Sequence, residues 1–580
     1  MASTDANLAF ILRESLKDPN VRGFHRDEED TSLHTLPNDE ESVTAAESGD
    51  DADTLEQSTS FNGFTYSTSQ LSPTATPKAT DSLRTLANRR RETILPEETT
   101  VDDDAASPPP PPTRALAPDL LRGLLMMFMA MDHNVIGLNP WPHSTGANHQ
   151  ESDSAVVERW NSPMGYAVRM LSHLCAPGFT FLLGMGVAYF GRSRAKMGWS
   201  SARMARHFAT RAVILTVVST AMGFVLSQGQ LWFLNMVLVA LAVDYLLAGL
   251  LWLGITATEP LLASLLDRFF HIIGGDGAER TPLLVHTGHI NPSGSQTKAS
   301  VRAQTMSWHI HNAVLLVLGF VTICWNHWVS PTHGVCAAAS SSPVAPTATN
   351  DFWRFWFFEI TRPRVISGFP PLAWLSFAIL GLLYARILLA RPVSPAKLAC
   401  GNVAAGLAFS VLFVLTRVLR IGNLSEGCLR TPDQAAESPD ANPYLVSAAS
   451  FFYVVKYPPD FAFFAYTLAA TFFLLALFGA VPPRFASKWL GVLLVFGTSA
   501  LFFYLTHLVI LFSLCVLLVR LFGRENGRPP PMDGWPAVGV SNVWVWWANW
   551  LLVMAIMYPL CRWYSAFKKT KSADSMWRFF

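Results

Sequence analysis

Charge is scarce in this chain: 15% of its 580 residues are charged, against 51% hydrophobic. The 43 Lys+Arg and 42 Asp+Glu nearly cancel to +1, but they are unevenly spread. Residues 1–113 hold 22 acidic and 9 basic residues, net −13, whereas the remaining 467 hold 20 acidic and 34 basic, net +14. Charges that sparse cannot solvate the surface of a globular domain, so a soluble enzyme is excluded, as is a nucleic-acid binder relying on a broad basic face. Cysteine is sparse too. The 7 cysteines are scattered without CxxC spacing, which rules out a disulfide scaffold or a zinc ribbon. Nor do the first residues read as a signal peptide, because the early apolar cluster Leu8 to Leu12 is too short and no small-residue cleavage site follows it.

Apolar runs are what the chain has in quantity. Residues 1–113 are rich in Ser, Thr, Asp and Glu and end in the proline run Pro108 to Pro112. They cannot bury enough surface to offset the entropy of ordering, and read as a disordered cytoplasmic tail. After it, runs long enough to cross a bilayer recur at roughly 118–138, 168–190, 207–227, 231–256, 311–328, 366–388, 397–418, 461–480, 491–520 and 538–560. The expected architecture is all-α, a polytopic transmembrane bundle of about ten helices over 114–567, with a cytoplasmic tail at 568–580. Orientation follows from basic residues in short loops: Arg192, Arg194, Lys196, Arg203 and Arg206 after the second span, then Arg386, Arg391 and Lys397, then Lys568, Lys569 and Lys571. Both termini are therefore expected on the cytoplasmic side. The sequon Asn423-Leu424-Ser425 falls in a loop assigned to the opposite side. Cys336 and Cys428 fall on that same oxidising face, and their pairing is left open.

Ionisable groups inside a membrane are costly, so each marks a candidate site. The first span, Asp119 to His133, is the richest. Arg122 and His133 are about 20° apart around the helix and ~16 Å apart along it, so they share one stripe. Asp132 points about 100° away, toward a neighbouring helix. A basic group at one end of a stripe and an imidazole at the other suits a long donor, anionic at its cytoplasmic end and reactive at the other, as a coenzyme A thioester is. The plainer reading makes Arg122 a positive-inside anchor and His133 an interfacial residue bonded to a carbonyl. More polar residues collect toward the same leaflet: His173 in Leu171 to Phe179, His327 in Trp325 to Trp328, and Lys456 in Lys456 to Pro459. His507 falls mid-span in Phe502 to His507. Pro177 and Gly178 are expected to break the second span. His286, His289 and His309 match no metal spacing.

Five strings together resemble the membrane domain of the heparan-alpha-glucosaminide N-acetyltransferase catalytic-domain family, a branch of the transmembrane acyltransferase superfamily. They are Asp119 to His133 (DLLRGLLMMFMAMDH), Leu171 to Gly184 (LSHLCAPGFTFLLG), Phe369 to Gly381 (FPPLAWLSFAILG), Val455 to Pro459 (VKYPP) and Val495 to His507 (VFGTSALFFYLTH). The resemblance runs from about 114 to the C-terminus and favours fungal and bacterial members over the animal lysosomal enzyme. The Arg122 to His133 spacing is also similar to the arginine-x10-histidine pattern of acyltransferase-3 proteins. The resemblance implies an acetyl or other acyl group taken from acetyl-CoA or another acyl-CoA on the cytoplasmic side and given to a glycan or small-molecule acceptor on the lumenal or external side. The animal enzyme carries a different residue pair where Asp132 and His133 stand and places its histidine in the following loop, so His143 or His149 is the alternative base. The segment 257–306 and the acidic tail have no counterpart in the family.

The expected mechanism places Arg122, Arg192 and Arg194 on the CoA phosphates and makes His133 the general base or acyl carrier. His173 and Lys456 would polarise the thioester carbonyl or bind the acceptor. Asp119, Asp132 and His507 are supporting residues, and no metal is required. The expected partners are acyl-CoA, the acceptor and the lipid bilayer of an endomembrane, vacuole or plasma membrane, with no nucleic acid; a homodimer is left open. The alternative is a proton-coupled transporter using His133, His173 and His507 as a relay.

Overall fold

A computed structural model describes residues 116–147, 151–227, 229–235, 237–273, 298–336, 351–362, 364–437, 440–527, 537–571 and 577. The acidic tail 1–113, His149, His286 and His289 lie outside the described residues. The described part is an α-helical bundle. Its principal helices are α1 (Leu116–Leu138), α2 (Pro163–Ser172), α3 (Cys175–Lys196), α4 (Ser201–Leu226), α5 (Val237–Ile273) and α6 (Lys298–Val329), followed by α7 (Leu375–Ala390), α8 (Pro395–Val418), α9 (Phe461–Gly479), α10 (Gly491–Thr498), α11 (Ala500–Phe522) and α12 (Val543–Lys569). Their starts are written in the sequence. Ser162, Ser200, Ser394, Asp460 and Asn542 each accept a hydrogen bond from a first-turn amide of α2, α4, α8, α9 and α12, and Pro163 and Pro395 supply the preset φ of a first helical turn.

Among the described residues, nine helices are long and apolar enough to cross a membrane, by length and composition. These include α2 and α3 taken together as one segment, Pro163–Lys196. Helix α1, whose 23 residues include Asp119, Arg122, Asp132, His133 and Asn134, is not among the nine, yet at ~34 Å it has the length. Connectivity argues that α1 crosses as well. The segment after α1 pairs with the segment after α8 (Val157 with Leu429) and with the one before α9 (Ser152 with Tyr457), while the segment after α6 pairs with the one after α8 (Val335 with Glu426). Strand β1 (Phe233–Asn235), after α4, pairs in parallel with β3 (Val365–Ser367), before α7, and β2 (Ile360–Arg362) pairs antiparallel with β3. Val540, before α12, donates to Leu138 at the end of α1. These segments gather at one end of the bundle, where α1 ends at Leu138, and α1 begins at the other, where Asp119 and Gly123 pack against Gly497 and Leu493 of α10. The gathered segments form a cap, which the Cys336–Cys428 disulfide, 92 residues apart in sequence, clamps.

Several expected boundaries shift. The fourth span begins at Val237, because Phe233–Asn235 are spent on the sheet. The break in the second span falls at His173–Leu174, and Pro177 sits in the first turn of α3, where a missing amide proton costs no hydrogen bond. The ninth span is interrupted at Ser499, whose hydroxyl pairs with that of Ser565 at 2.7 Å. Residues 257–273 and 298–306, expected as part of a loop insertion, continue α5 and open α6.

Two helix pairs touch backbone to backbone. A Cβ on Gly123 would lie 2.0 Å from the Leu493 carbonyl oxygen, and one on Gly497 would lie 1.9 Å from that of Asp119. Reciprocally, a Cβ on Gly184 would meet the Ala378 oxygen and one on Gly381 the Phe181 oxygen, each at 1.9 Å. Helix α1 is thereby locked to α10, and α3 to α7, at distances that only glycine permits.

Candidate functional site

At the cap end of α1 the structure gathers Asp132, His133, His143, Glu151, Arg169, His173, Lys456 and His507. All but His143 are at most 2% exposed, and the His143 side chain is 8% exposed. The proton positions of two histidines follow from their partners. His507 Nδ1 lies 2.9 Å from the carbonyl oxygen of Phe503. A carbonyl only accepts, so Nδ1 carries the proton and Nε2 is a lone pair. That lone pair lies 2.9 Å from His133 Nδ1, which must donate in turn. His133 is thereby left with a bare Nε2, buried and without a hydrogen-bond partner. The two rings stack, with centroids 5.1 Å apart.

A second imidazole is set up in a similar way by a carboxylate. His143 Nε2 lies 2.9 Å from Asp132 Oδ1 and also faces Arg169 Nη1, itself a donor; with the proton placed on the shorter contact, toward the carboxylate, Nε2–H donates and Nδ1 is bare. This nitrogen too is buried without a partner. Arg169 Nη1 approaches the same Nε2 at 3.2 Å and Asp132 Oδ1 at 3.6 Å, placing a fixed positive charge beside the dyad. Burial is the largest influence on His143; Asp132 opposes it and Arg169 adds to it, and the imidazole is held neutral below the usual histidine range.

Arg169 is the hub. Its Nε donates to Glu151 Oε1 and Oε2 at 3.3 and 3.1 Å, and its Nη2 donates to Oε2 at 2.7 Å. Thr145 completes the cage, its amide and hydroxyl donating to Glu151 Oε1 at 2.6 and 2.9 Å. Burial alone would raise the Glu151 pKa, but Arg169 and His173 outweigh it, and the carboxyl stays well below the usual carboxylate range. His173 Nε2 is 3.8 Å from Glu151 Oε1, too far for a hydrogen bond, and both its ring nitrogens are unpartnered. Lys456 is 1% exposed and its ammonium stands 5.2 Å from the Tyr457 ring centroid. The ammonium itself makes no hydrogen bond or ion pair among the described residues, although the Lys456 amide donates to the Glu151 carbonyl at 2.9 Å. Two acids and two bases balance the cluster, so it carries no net charge while its histidines are neutral.

The expected residues are thus partly brought together. His133, His173, Lys456, Asp132 and His507 share the cluster. His327 does not; it lies in the cap with its ring 5.9 Å from that of His333. At the opposite end of α1, Arg122 Nη1 donates to Asp119 Oδ1 at 2.9 Å and to the Gly497 carbonyl at 3.4 Å. Arg192 and Arg194 do not join it. Arg192 donates to the Leu389 carbonyl at the end of α7, and Arg194 lies over the Phe190 and Trp199 rings at 5.3 and 4.8 Å. Glu151 and Arg169 were not anticipated from sequence. Arg169 stands inside the second apolar run, where a charged residue is itself a signal; Glu151 stands in a polar loop, where an acid is ordinary. Among the described residues no group of His, Cys, Asp and Glu could hold a metal ion. Comparison of the chain with protein-family models and with curated proteins gives no match.

Proposed function

We propose that the chain is an integral membrane acyltransferase. It takes an acyl group from acyl-CoA entering at the Arg122 end of α1 and passes it to an acceptor hydroxyl or amine in the cap. The observation that carries this reading is the Asp132–His143 dyad with its bare Nδ1, placed in the same buried cluster as the unpartnered Lys456 ammonium. In this reading the acceptor oxygen or nitrogen attacks the thioester carbonyl while its proton passes to His143 Nδ1. Asp132 holds the ring in the required tautomer and stabilises the imidazolium that forms. The Lys456 ammonium stabilises the oxyanion. Collapse of the tetrahedral intermediate breaks the carbon–sulfur bond, and the His143 proton leaves with the coenzyme A thiol.

His143 is preferred to His133 as base on electrostatic grounds. An imidazolium at His143 would face a carboxylate at 2.9 Å, whereas one at His133 would face a neutral imidazole in a fully buried site. His133 and His507 then line the path of the acyl chain. The five resembling strings support the donor assignment, and Arg122 is the cation placed for the CoA phosphates.

The test is titration calorimetry of the purified chain with acetyl-CoA, followed by transfer assays over hydroxyl and amine acceptors. Saturable binding with turnover supports the reading. No acyl-CoA binding would remove it and promote the proton-coupled transporter.

A further inference from the structure

A second polar site adjoins the histidine cluster, with Tyr453 within reach of the Glu151 charge, but it does not depend on the acyl-transfer reading. Arg417, in the last turn of α8, is fully buried. Its Nε, Nη1 and Nη2 are all without a hydrogen-bond partner. The guanidinium lies 5.0 Å from the Phe413 ring centroid and 4.7 Å from that of Tyr444, so its faces are spent on aromatic contact and its in-plane donors are not. The nearby acid does not neutralise it. Asp460 accepts instead from the Phe463 amide at 2.6 Å and the Leu424 amide at 3.2 Å, and no carboxylate among the described residues pairs with Arg417.

Two further donors border the same cluster. Tyr444 and Tyr453 pack together with Val157, Leu424 and Leu429, and Trp160 packs against them. The Tyr453 hydroxyl and the Trp160 indole N–H are both buried and unpartnered, and the two rings are 5.8 Å apart. The Tyr444 hydroxyl, by contrast, is paired with Ser425 at 3.0 Å. A buried guanidinium whose in-plane donors all lack a hydrogen-bond partner is costly, and an apolar side chain of similar volume would fill the same space without that cost. What a guanidinium offers in exchange is a planar fork of donors matched to a carboxylate.

We propose that Arg417, with the Tyr453 hydroxyl and the Trp160 indole N–H beside it, forms a binding site in the cap for a small organic carboxylate. The fork takes both oxygens, and the neighbouring hydroxyl and indole donate to the lone pairs that remain.

The test uses the full chain, purified in detergent, and reads its thermal midpoint during titration with sodium acetate, sodium sulfate or sodium chloride at constant ionic strength. Acetate is expected to raise the midpoint saturably. Chloride should give no saturable rise, and sulfate only a weaker one. Arg417→Met should lose the acetate response. Tyr453→Phe, which deletes one donor and keeps the ring, should weaken the apparent Kd for acetate about three- to tenfold. An acetate response no larger than that of chloride, or one as large in sulfate, overturns the proposal. So does an acetate response that survives in Arg417→Met. Should that variant not fold, an unchanged Kd in Tyr453→Phe overturns it equally.

Discussion

Removing the hub of the buried network tests whether Arg169 is there to hold charge or merely to fill space. Arg169→Met keeps the length of the stem and deletes the guanidinium. It abolishes three hydrogen bonds to Glu151, at 2.7, 3.1 and 3.3 Å, and leaves Glu151 and Asp132 buried together with Lys456 as the remaining cation of the cluster. Breaking a buried pair from one side costs about 3–5 kcal/mol, and two stranded carboxylates put this variant at the upper end. Glu151→Gln should cost less, about 2 kcal/mol, because the amide oxygen still accepts from Thr145 and Asp132 still faces Arg169. In Arg169→Met/Glu151→Gln neither charge of the pair is stranded. The double variant should therefore be more stable than the sum of the singles by at least ~1.5 kcal/mol. The assay is reversible chemical denaturation of the full chain in mixed micelles, followed through its tryptophans. Additivity within ~0.5 kcal/mol, or an Arg169→Met loss below ~1 kcal/mol, would refute the account of the cluster as an obligatory ion network.

Four further outcomes are expected. His143→Ala should lower turnover by at least ~10²-fold with acyl-CoA affinity unchanged, and Asp132→Asn should resemble it; a His133→Ala variant that is equally inactive, beside a His143→Ala variant that is not, would move the base to His133. In the parent, kcat/KM should fall as pH drops through a midpoint below the usual histidine value, because a base whose pKa burial depresses stays neutral and active down to that pH; a midpoint above the usual value would contradict the burial argument. Arg122→Ala should weaken acetyl-CoA binding and flatten its salt dependence without changing the response to pH, and protease added to vesicles with the cytoplasmic face outward should spare the loop 419–460, with cleavage there reversing the assigned orientation.

Most of the bundle was legible because membrane-crossing helices announce themselves by length and apolarity, and serine and proline mark where several begin. The sequence misled where apolar residues serve something other than a span. Phe233–Asn235 read as the start of a helix, yet they pair with Val365–Ser367, and a strand of three residues is too short for alternation to register. The interruption at Ser499 left no mark either, since no proline or glycine stands at that position. In the site, Asp132, His133, His173 and His507 were visible as ionisable groups in or beside apolar runs, and Lys456 as one opening such a run. Their partners were not. The bond from Asp132 to His143 crosses from α1 into the loop that follows it, and the Glu151–Arg169 cage joins that loop to α2. Periodicity along one helix cannot report either contact. Arg192 and Arg194 show the converse: basic residues in a short loop do set orientation, but this carries no information about whether a guanidinium is occupied by a carbonyl or an aromatic ring.

The lock between Gly123 and Gly497 has a consequence for how the protein is made. Helix α1 leaves the ribosome before the other described membrane helices and carries Asp119, Arg122, Asp132 and His133 into the bilayer. Asp119 and Arg122 pair with each other and Asp132 with the nearby His143, but the partner of His133 and the glycine contacts of α1 come much later. His507 follows His133 by 374 residues, and Gly497 follows Arg122 by 375. At ordinary rates of synthesis that interval is roughly 20–75 s, during which a helix with buried charges has no α10 or α11 to pack against. Such a helix is poorly held by lipid alone. The contacts that close α1 against α10 and α11 can therefore form only after the C-terminal third of the chain has entered the membrane.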